Sequence, residues 1–285
     1  MIKAIITDVD GVIVGDKEGV NFPLPNERVI KKLREINKSG IPIILCTGKF
    51  SYAIEDIIKK AELDNPHITD GGALIYNPLR NQIIKEHIID KKLATDIVAA
   101  CLKKNIYLEL HTAKEYYVQK NYVDAFTDIR KKALLKNPVL LDSLVTGMQT
   151  LDIIKILAFT KIDTEKPQVE KLLSSFSHEI NAMWSSLPIM RPAMARVITR
   201  KGVSKMHASQ EVVEYMGISF DECLGVGDLP SDWEFMKLCK YAATVGNVDE
   251  EFKKNVMSKG EGKYFLAPPV DNDGFIDIIN HYTKF

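Results

Sequence analysis

The chain lacks any apolar run long enough to span a bilayer, so no membrane-crossing helix is predicted. Its opening stretch, MIKAIITDVDG, reaches polar residues after a few apolar ones, too few for a signal-peptide core. A cytoplasmic protein is therefore expected. Net charge is lacking too: 38 Lys and Arg balance 38 Asp and Glu, for a formal charge of +0. That balance removes the electrostatic reason to expect a nucleic acid or an anionic membrane as main partner. Cysteines are few: Cys46, Cys101, Cys223 and Cys239. None forms a C-x-x-C pair, so a zinc site is not indicated and buried thiols of a reducing compartment are expected. Internal repeats and low-complexity tracts are missing.

What is present is ordinary globular composition, 46% hydrophobic and 27% charged over 285 residues. At roughly 150 residues per domain this suggests about two domains, with enough chain to bury a core unaided. Lys3–Thr7 reads as a short buried strand closed by Asp-x-Asp-Gly. Asn26–Ser39 reads as an amphipathic helix, with Val29, Ile30, Leu33 and Ile36 on one face and Gly40 as a stop. Ile41–Cys46 is a second apolar strand ending at Thr47-Gly48. Tyr52–Ala61 is helical, and His67–Thr69 and Ala73–Tyr76 are strands on either side of Gly71-Gly72. This β-α-β-α-β order predicts a parallel sheet covered by helices on both faces. The pattern returns late, as a helix at Ser204–Met216, a strand at Cys223–Val226, a helix at Asp232–Cys239, a strand at Ala242–Val245 and a helix at Phe275–Tyr282.

The middle of the chain differs. Strands at Ile106–His111, Tyr116–Gln119 and Ile153–Phe159 mix with helices at Leu93–Lys103 and Lys166–Phe176. It reads as an α+β insertion, giving a core at 1–80 and 190–285 and a cap at 81–189. Asn77-Pro78 and Leu187-Pro188 are the expected hinge regions.

Ligands of open parallel sheets bind beyond the carboxyl ends of the strands. Asp8-Val9-Asp10-Gly11, Thr47-Gly48 and Gly227-Asp228 with Ser231-Asp232 all follow predicted strands, and Lys205 opens a late helix. Each alone is as readily a turn or a helix cap. Together they suit phosphoryl transfer. A phosphomonoester is doubly charged, so an anionic nucleophile must be screened from it, which a Mg²⁺ ion between carboxylate and phosphate oxygens can do. Asp8 suits the nucleophile, Asp10 the general acid and then base, and Asp228 the metal site. Lys205 supplies a cation and Thr47 a neutral donor, while Gly11 and Gly48 let backbone N–H groups approach an anion.

These residues in this order resemble the haloacid dehalogenase superfamily of phosphatases, whose four motifs are matched by Asp8/Asp10, Thr47, Lys205 and Asp228/Asp232. The segments ITDGGALIY and ATVGNVDEEFKKNV further resemble its Cof-type subgroup, which carries a large α+β cap. The resemblance implies Asp8 as nucleophile and Asp10 as acid/base. It implies phosphate contacts from Thr47 and Lys205, a Mg²⁺ site of Asp8, Asp228 and the Asp10 carbonyl, and Asp232 in support. Asp10 favours phosphatase or phosphomutase chemistry over dehalogenation. Three positions depart from the pattern: Ser231 where Asn is usual, Gly71 where Asn is common, and Lys49 where Arg is frequent. Lys keeps the charge and loses the bidentate fork.

Other polar residues carry less. His111 could face a site from a cap strand beside Glu109, but a satisfied or solvated histidine is the commoner case. His207 should point away from Lys205, and Cys46 should be a packed thiol. Arg191, Arg196 and Arg200, and the pairs Lys91-Lys92 and Lys131-Lys132, read as solvated charge. The expectation is an α/β Rossmann-like hydrolase core with an inserted α+β cap. It would be a Mg²⁺-dependent phosphatase, a monomer or small homo-oligomer, acting on a small phosphorylated metabolite such as a sugar phosphate. The rivals are a phosphomutase or phosphotransferase using the same aspartyl-phosphate, and a non-catalytic ligand-binding module.

Overall fold

Ile5 packs with one apolar cluster and its neighbours Ala4 and Ile6 with another, so the first strand is buried on both faces. That double burial is what a central parallel strand requires. The computed structural model describes residues 2–134, 136–185 and 191–283. In chain order it opens with β1 (Ala4–Thr7), α1 (Glu27–Lys38), β2 (Ile43–Leu45), α2 (Ser51–Ala61), β3 (His67–Thr69), β4 (Leu74–Asn77) and β5 (Gln82–Glu86). Next come α3 (Lys91–Leu102), β6 (Tyr107–His111), β7 (Tyr116–Gln119), α4 (Ala125–Leu134), β8 (Val139–Leu141), α5 (Leu144–Gly147) and β9 (Lys155–Thr160). α6 (Lys166–Ser174), β10 (Ile180–Ser185), β11 (Met194–Arg200), α7 (Lys205–Tyr215), β12 (Cys223–Val226) and α8 (Pro230–Met236) follow. The chain closes with β13 (Tyr241–Thr244), α9 (Glu250–Met257), β14 (Tyr264–Leu266) and α10 (Gly274–Tyr282). None of the described helices is long and apolar enough to cross a membrane.

Two compact units emerge, one made of residues up to Lys85 and from Ser204 onward, the other of Glu86–Val203. The first contains a five-stranded parallel sheet in the order β14-β13-β12-β1-β2. Helix α1 shows why it forms and which way it faces. The Asn26 side chain accepts from the N–H groups of Arg28 and Val29, capping the helix start. Its buried side chains are Val29, Ile30, Leu33 and Ile36, each contributing about 1.5–3 kcal/mol by leaving water.

Strand β3 departs from expectation. It pairs antiparallel with β4, in a separate three-stranded sheet ordered β3-β4-β5, and meets the parallel sheet through a parallel bridge, Cys46 to Ile68, and through the Leu45 N–H, which donates to His67 Nδ1 at 3.2 Å. The reason is the Asp70-Gly71-Gly72 turn, where all three residues have positive φ (56°, 71° and 102°) and the chain folds straight back. Gly72 is required twice over, since a Cβ there would lie 2.3 Å from the Ser204 carbonyl oxygen.

The second unit carries a six-stranded sheet ordered β10-β11-β9-β6-β7-β8, antiparallel except for the β7–β8 pair. Leu108 and Leu110 of β6 join its apolar cluster with residues of α3 and α6. On the other face of β6, Glu109 is fully buried and receives Arg130 of α4 in a bidentate pair at 2.7 and 2.6 Å, with His111 Nε2 at 3.2 Å. His111 is thus a buried histidine whose Nε2 is taken up by Glu109. The sequence reading places residues 190–285 in the core, and these include the segment that forms β11. That strand pairs instead with β9 and β10, so the division falls at Val203/Ser204, and the earlier one at Lys85/Glu86 rather than at residue 80. Asn77-Pro78 forms a short turn between β4 and β5, while Leu187-Pro188 lies outside the described residues.

Candidate active site

Asp8 stands one residue beyond β1, and its N–H still donates to the Val226 carbonyl of the neighbouring strand β12 at 2.9 Å. The sheet therefore fixes the backbone that carries its carboxylate. Asp8 is 3% exposed. Its Oδ1 accepts from the Val9 N–H at 2.7 Å, and its Oδ2 lies 3.0 Å from Lys205 Nζ. Lys205, at the first position of α7, also reaches Asp232 Oδ1 at 2.7 Å. Asp232 is fully buried, and its Oδ2 accepts from the N–H groups of Asp228 (3.2 Å) and Leu229 (3.1 Å), which holds the turn into α8. Residues from opposite ends of the chain are thereby tied into one cluster within the first unit.

The electrostatics are unbalanced. Three carboxylates, Asp8, Asp228 and Asp232, offer oxygens within 4.8 Å of one another, against one ammonium. Burial pushes the Asp8 carboxyl well above the usual carboxylate range, with Asp232 and Asp228 adding to the shift and Lys205 opposing it. Burial, reinforced by Asp232, likewise raises Asp228 to about 7. Burial alone would lower Lys205, but the Asp8 and Asp232 carboxylates outweigh it and hold the ammonium well above its ordinary value. Asp228 Oδ1 is buried without a hydrogen-bond partner. A cluster of hard oxygens with surplus negative charge and an unmet acceptor fits a Mg²⁺-like cation. Asp228 is the best available ligand. Asp232, whose two oxygens already serve Lys205 and two N–H groups, fits a supporting place.

Gly11, with φ +75°, presses its backbone onto this acid, since a Cβ there would fall 1.9 Å from Asp228 Oδ2. Asp10 points elsewhere. Its side chain is 55% exposed, and its Oδ1 meets Lys49 Nζ at 2.9 Å. Thr47 lies beyond β2, the neighbour of β1, and is buried, with its Oγ1 accepting from the Lys49 N–H at 3.1 Å. Gly48 beside it opens onto free space. Lys205 bridges Asp8 and Asp232, Asp228 lies beside them with its N–H on Asp232, and Thr47, Gly48 and Asp10 stand on the loops at the same strand ends.

Of the departures, Gly71 serves the backbone. Its φ of 71° suits glycine, and its N–H donates to the Thr47 carbonyl at 3.0 Å. Ser231 is exposed at the start of α8. Cys46 is fully buried, and burial raises its thiol to about 12, in keeping with a packed thiol. All four cysteines are buried free thiols. One residue escaped sequence reasoning: Asn247, beyond β13, donates to the Gly11 carbonyl at 3.1 Å and accepts from the Val270 N–H at 3.1 Å, bracing the loop after β1. The signal was a strand followed by Gly-Asn, in the same position as the other site residues.

A family model described as haloacid dehalogenase-like hydrolase matches residues 5–258. Phosphatase YwpJ of Bacillus subtilis is 24% identical over 88% of this chain and 92% of its own length. Among solved structures, a haloacid dehalogenase-like hydrolase from Bacteroides thetaiotaomicron aligns with a TM-score of 0.84 at 19% identity, over 99% of this chain and all of its own. The subclass IIB sugar phosphatase BT4131 aligns with a TM-score of 0.73 at 19% identity, over 98% of both chains. At those identities the structural matches speak for the fold.

Proposed function

The chain belongs to the haloacid dehalogenase-like hydrolases, and from that premise we propose that it is a Mg²⁺-dependent phosphatase that hydrolyses a small phosphomonoester, such as a sugar phosphate, through an aspartyl-phosphate on Asp8. The observation that carries the reading is the buried Asp8–Lys205–Asp232 chain with Asp228 beside it, its charge surplus open to a cation. Sugar phosphate is the class favoured by the likeness to BT4131.

Asp8, Asp228 and the Asp10 carbonyl would hold the ion, which when bound screens the phosphate charge from the nucleophile. The Asp8 carboxylate attacks phosphorus as the ester oxygen departs, and Asp10 gives that oxygen its proton. A water molecule then attacks the phosphorus of the aspartyl-phosphate. Asp10 takes the water's proton, orthophosphate leaves and the Asp8 carboxylate is restored. Lys205 and the Thr47 hydroxyl, with the N–H groups around Gly48, would steady the equatorial phosphoryl oxygens.

The test is phosphate release from a panel of phosphorylated metabolites with Mg²⁺ and with chelator. Turnover that needs Mg²⁺ and is abolished in Asp8→Asn supports the reading. An Asp8→Asn enzyme with full turnover, or no release from any member, refutes it. Transfer of the phosphoryl group to a second sugar hydroxyl, in place of release, would indicate a mutase.

A further inference from the structure

Lys49 Nζ lies 2.9 Å from Asp10 Oδ1, a contact that neither the cation nor the phosphoryl group requires. A carboxylate that is 55% exposed has several staggered rotamers open to it. Proton transfer in catalysis needs one oxygen held within about 2.6–3.2 Å of its partner. The Asp10 side chain therefore needs a constraint that its exposure does not supply, and Lys49 is built to give one. Its N–H donates to Thr47 Oγ1 at 3.1 Å, and its carbonyl accepts from the Asp70 N–H at 2.8 Å, so its backbone is fixed on both sides. The Asp10 loop is fixed too, by the Gly11 N–H to the Val14 carbonyl (2.7 Å) and the Asp10–Val14 bridge. Two rigid loops, one after β1 and one after β2, thus meet at a charge-assisted bond between their side chains.

We propose that Lys49 is a positioning residue for Asp10: it holds one carboxylate oxygen so that the other serves the leaving oxygen. The inference rests on the phosphatase reading above. It separates Lys49 from Lys205, which lies on Asp8 and Asp232 and so belongs to the nucleophile and the phosphoryl group. A cation acting on the phosphoryl group helps every ester alike. A cation acting through the acid helps most where the leaving group needs a proton.

The experiment compares kcat/KM for an alkyl phosphate, whose alkoxide must be protonated, with that for p-nitrophenyl phosphate, whose leaving group needs little help. In Lys49→Met the aryl-to-alkyl ratio should rise by about tenfold or more, part of the 10²–10⁴ that a positioned acid supplies. Asp10→Asn should raise it further and sets the ceiling. Lys49→Arg, which keeps the cation, should bring the ratio back toward that of the wild type. A fraction of misfolded enzyme lowers both rates together and leaves the ratio unchanged. A ratio that stays at the wild-type value in Lys49→Met, or one that Arg leaves as high as Met does, overturns the assignment while the phosphatase reading stands. A wild type inactive on both esters overturns that reading and this inference with it.

Discussion

The ammonium of Lys205 lies 3.0 Å from Asp8 and 2.7 Å from Asp232, so one buried cation holds apart two carboxylates that would otherwise repel. Removing one partner of a buried ion pair typically costs about 3–5 kcal/mol, because the other charge is left uncompensated. Lys205→Met should therefore lower the unfolding free energy by up to about that much in metal-free protein at neutral pH. The loss should shrink at low pH, where the orphaned carboxylates protonate. Urea unfolding at two pH values measures this, and equal losses at both would count against the arrangement.

Gly11 is tied to the cation site by space alone. Gly11→Ala places a methyl where Asp228 Oδ2 now lies, on a backbone at φ +75°. The protein should tolerate the backbone strain, about 1 kcal/mol for one residue, and lose affinity for Mg²⁺ as Asp228 is displaced. A Mg²⁺ titration read by thermal shift checks it, because a bound ion stabilises in proportion to the logarithm of its concentration over Kd. An unchanged midpoint would show that Asp228 does not bind the ion.

The placement of the acids at the strand ends was legible because each follows an apolar strand, a pattern local in sequence. What links the acids was not. Asn247 reaches Gly11 across 236 positions, and no periodicity records such a contact. β3 was assigned to the parallel sheet because its His-Ile-Thr run reads like any buried strand, while the reversal at Asp70-Gly71-Gly72 governs its pairing. β11 was hidden by its arginines. They read as solvated charge, yet the Arg196 guanidinium lies 5.2 Å from the centre of the Trp184 ring on the adjacent strand, where its charge is accommodated by stacking. The edge strand β10 carries no clear alternation, and its side chains range from buried to exposed.

His67 makes acid stability testable. Its Nδ1 accepts from the Leu45 N–H at 3.2 Å, so the ring is neutral there, with Nε2 facing the Leu63 carbonyl. Burial lowers its pKa to about 4, below the unfolded value of 6.5. Between those two values the unfolded chain binds the extra proton, so this group's contribution falls as pH drops through the window, by at most about 3 kcal/mol. The difference in unfolding free energy between wild type and His67→Gln should narrow from pH 7 to pH 4.5. A difference independent of pH would show that His67 titrates normally.

The Glu109–Arg130 pair should be structural. Burial alone would raise the Glu109 carboxyl, but Arg130 overcomes it and holds the group at about 2. Its stabilisation is thus present above the ordinary value of 4.5 and is lost only as pH falls toward 2. Arg130→Met should cost about 3–5 kcal/mol, and adding Glu109→Gln should recover part of the loss because no charge is then left buried and unpaired. Chemical denaturation of both variants measures it. A double variant less stable than Arg130→Met would contradict the assignment.

The central claim is that Asp8 carries the phosphoryl group. The most direct measurement uses Asp10→Asn, in which dephosphorylation should be slowed by loss of the base, mixed with p-nitrophenyl phosphate and Mg²⁺ and quenched rapidly in acid. Peptide mass spectrometry should then find one phosphoryl group on the Asp8-containing peptide, absent when Asp8→Asn is added. Phosphate release continuing with no phosphorylated peptide, or with the group on another residue, would contradict the account.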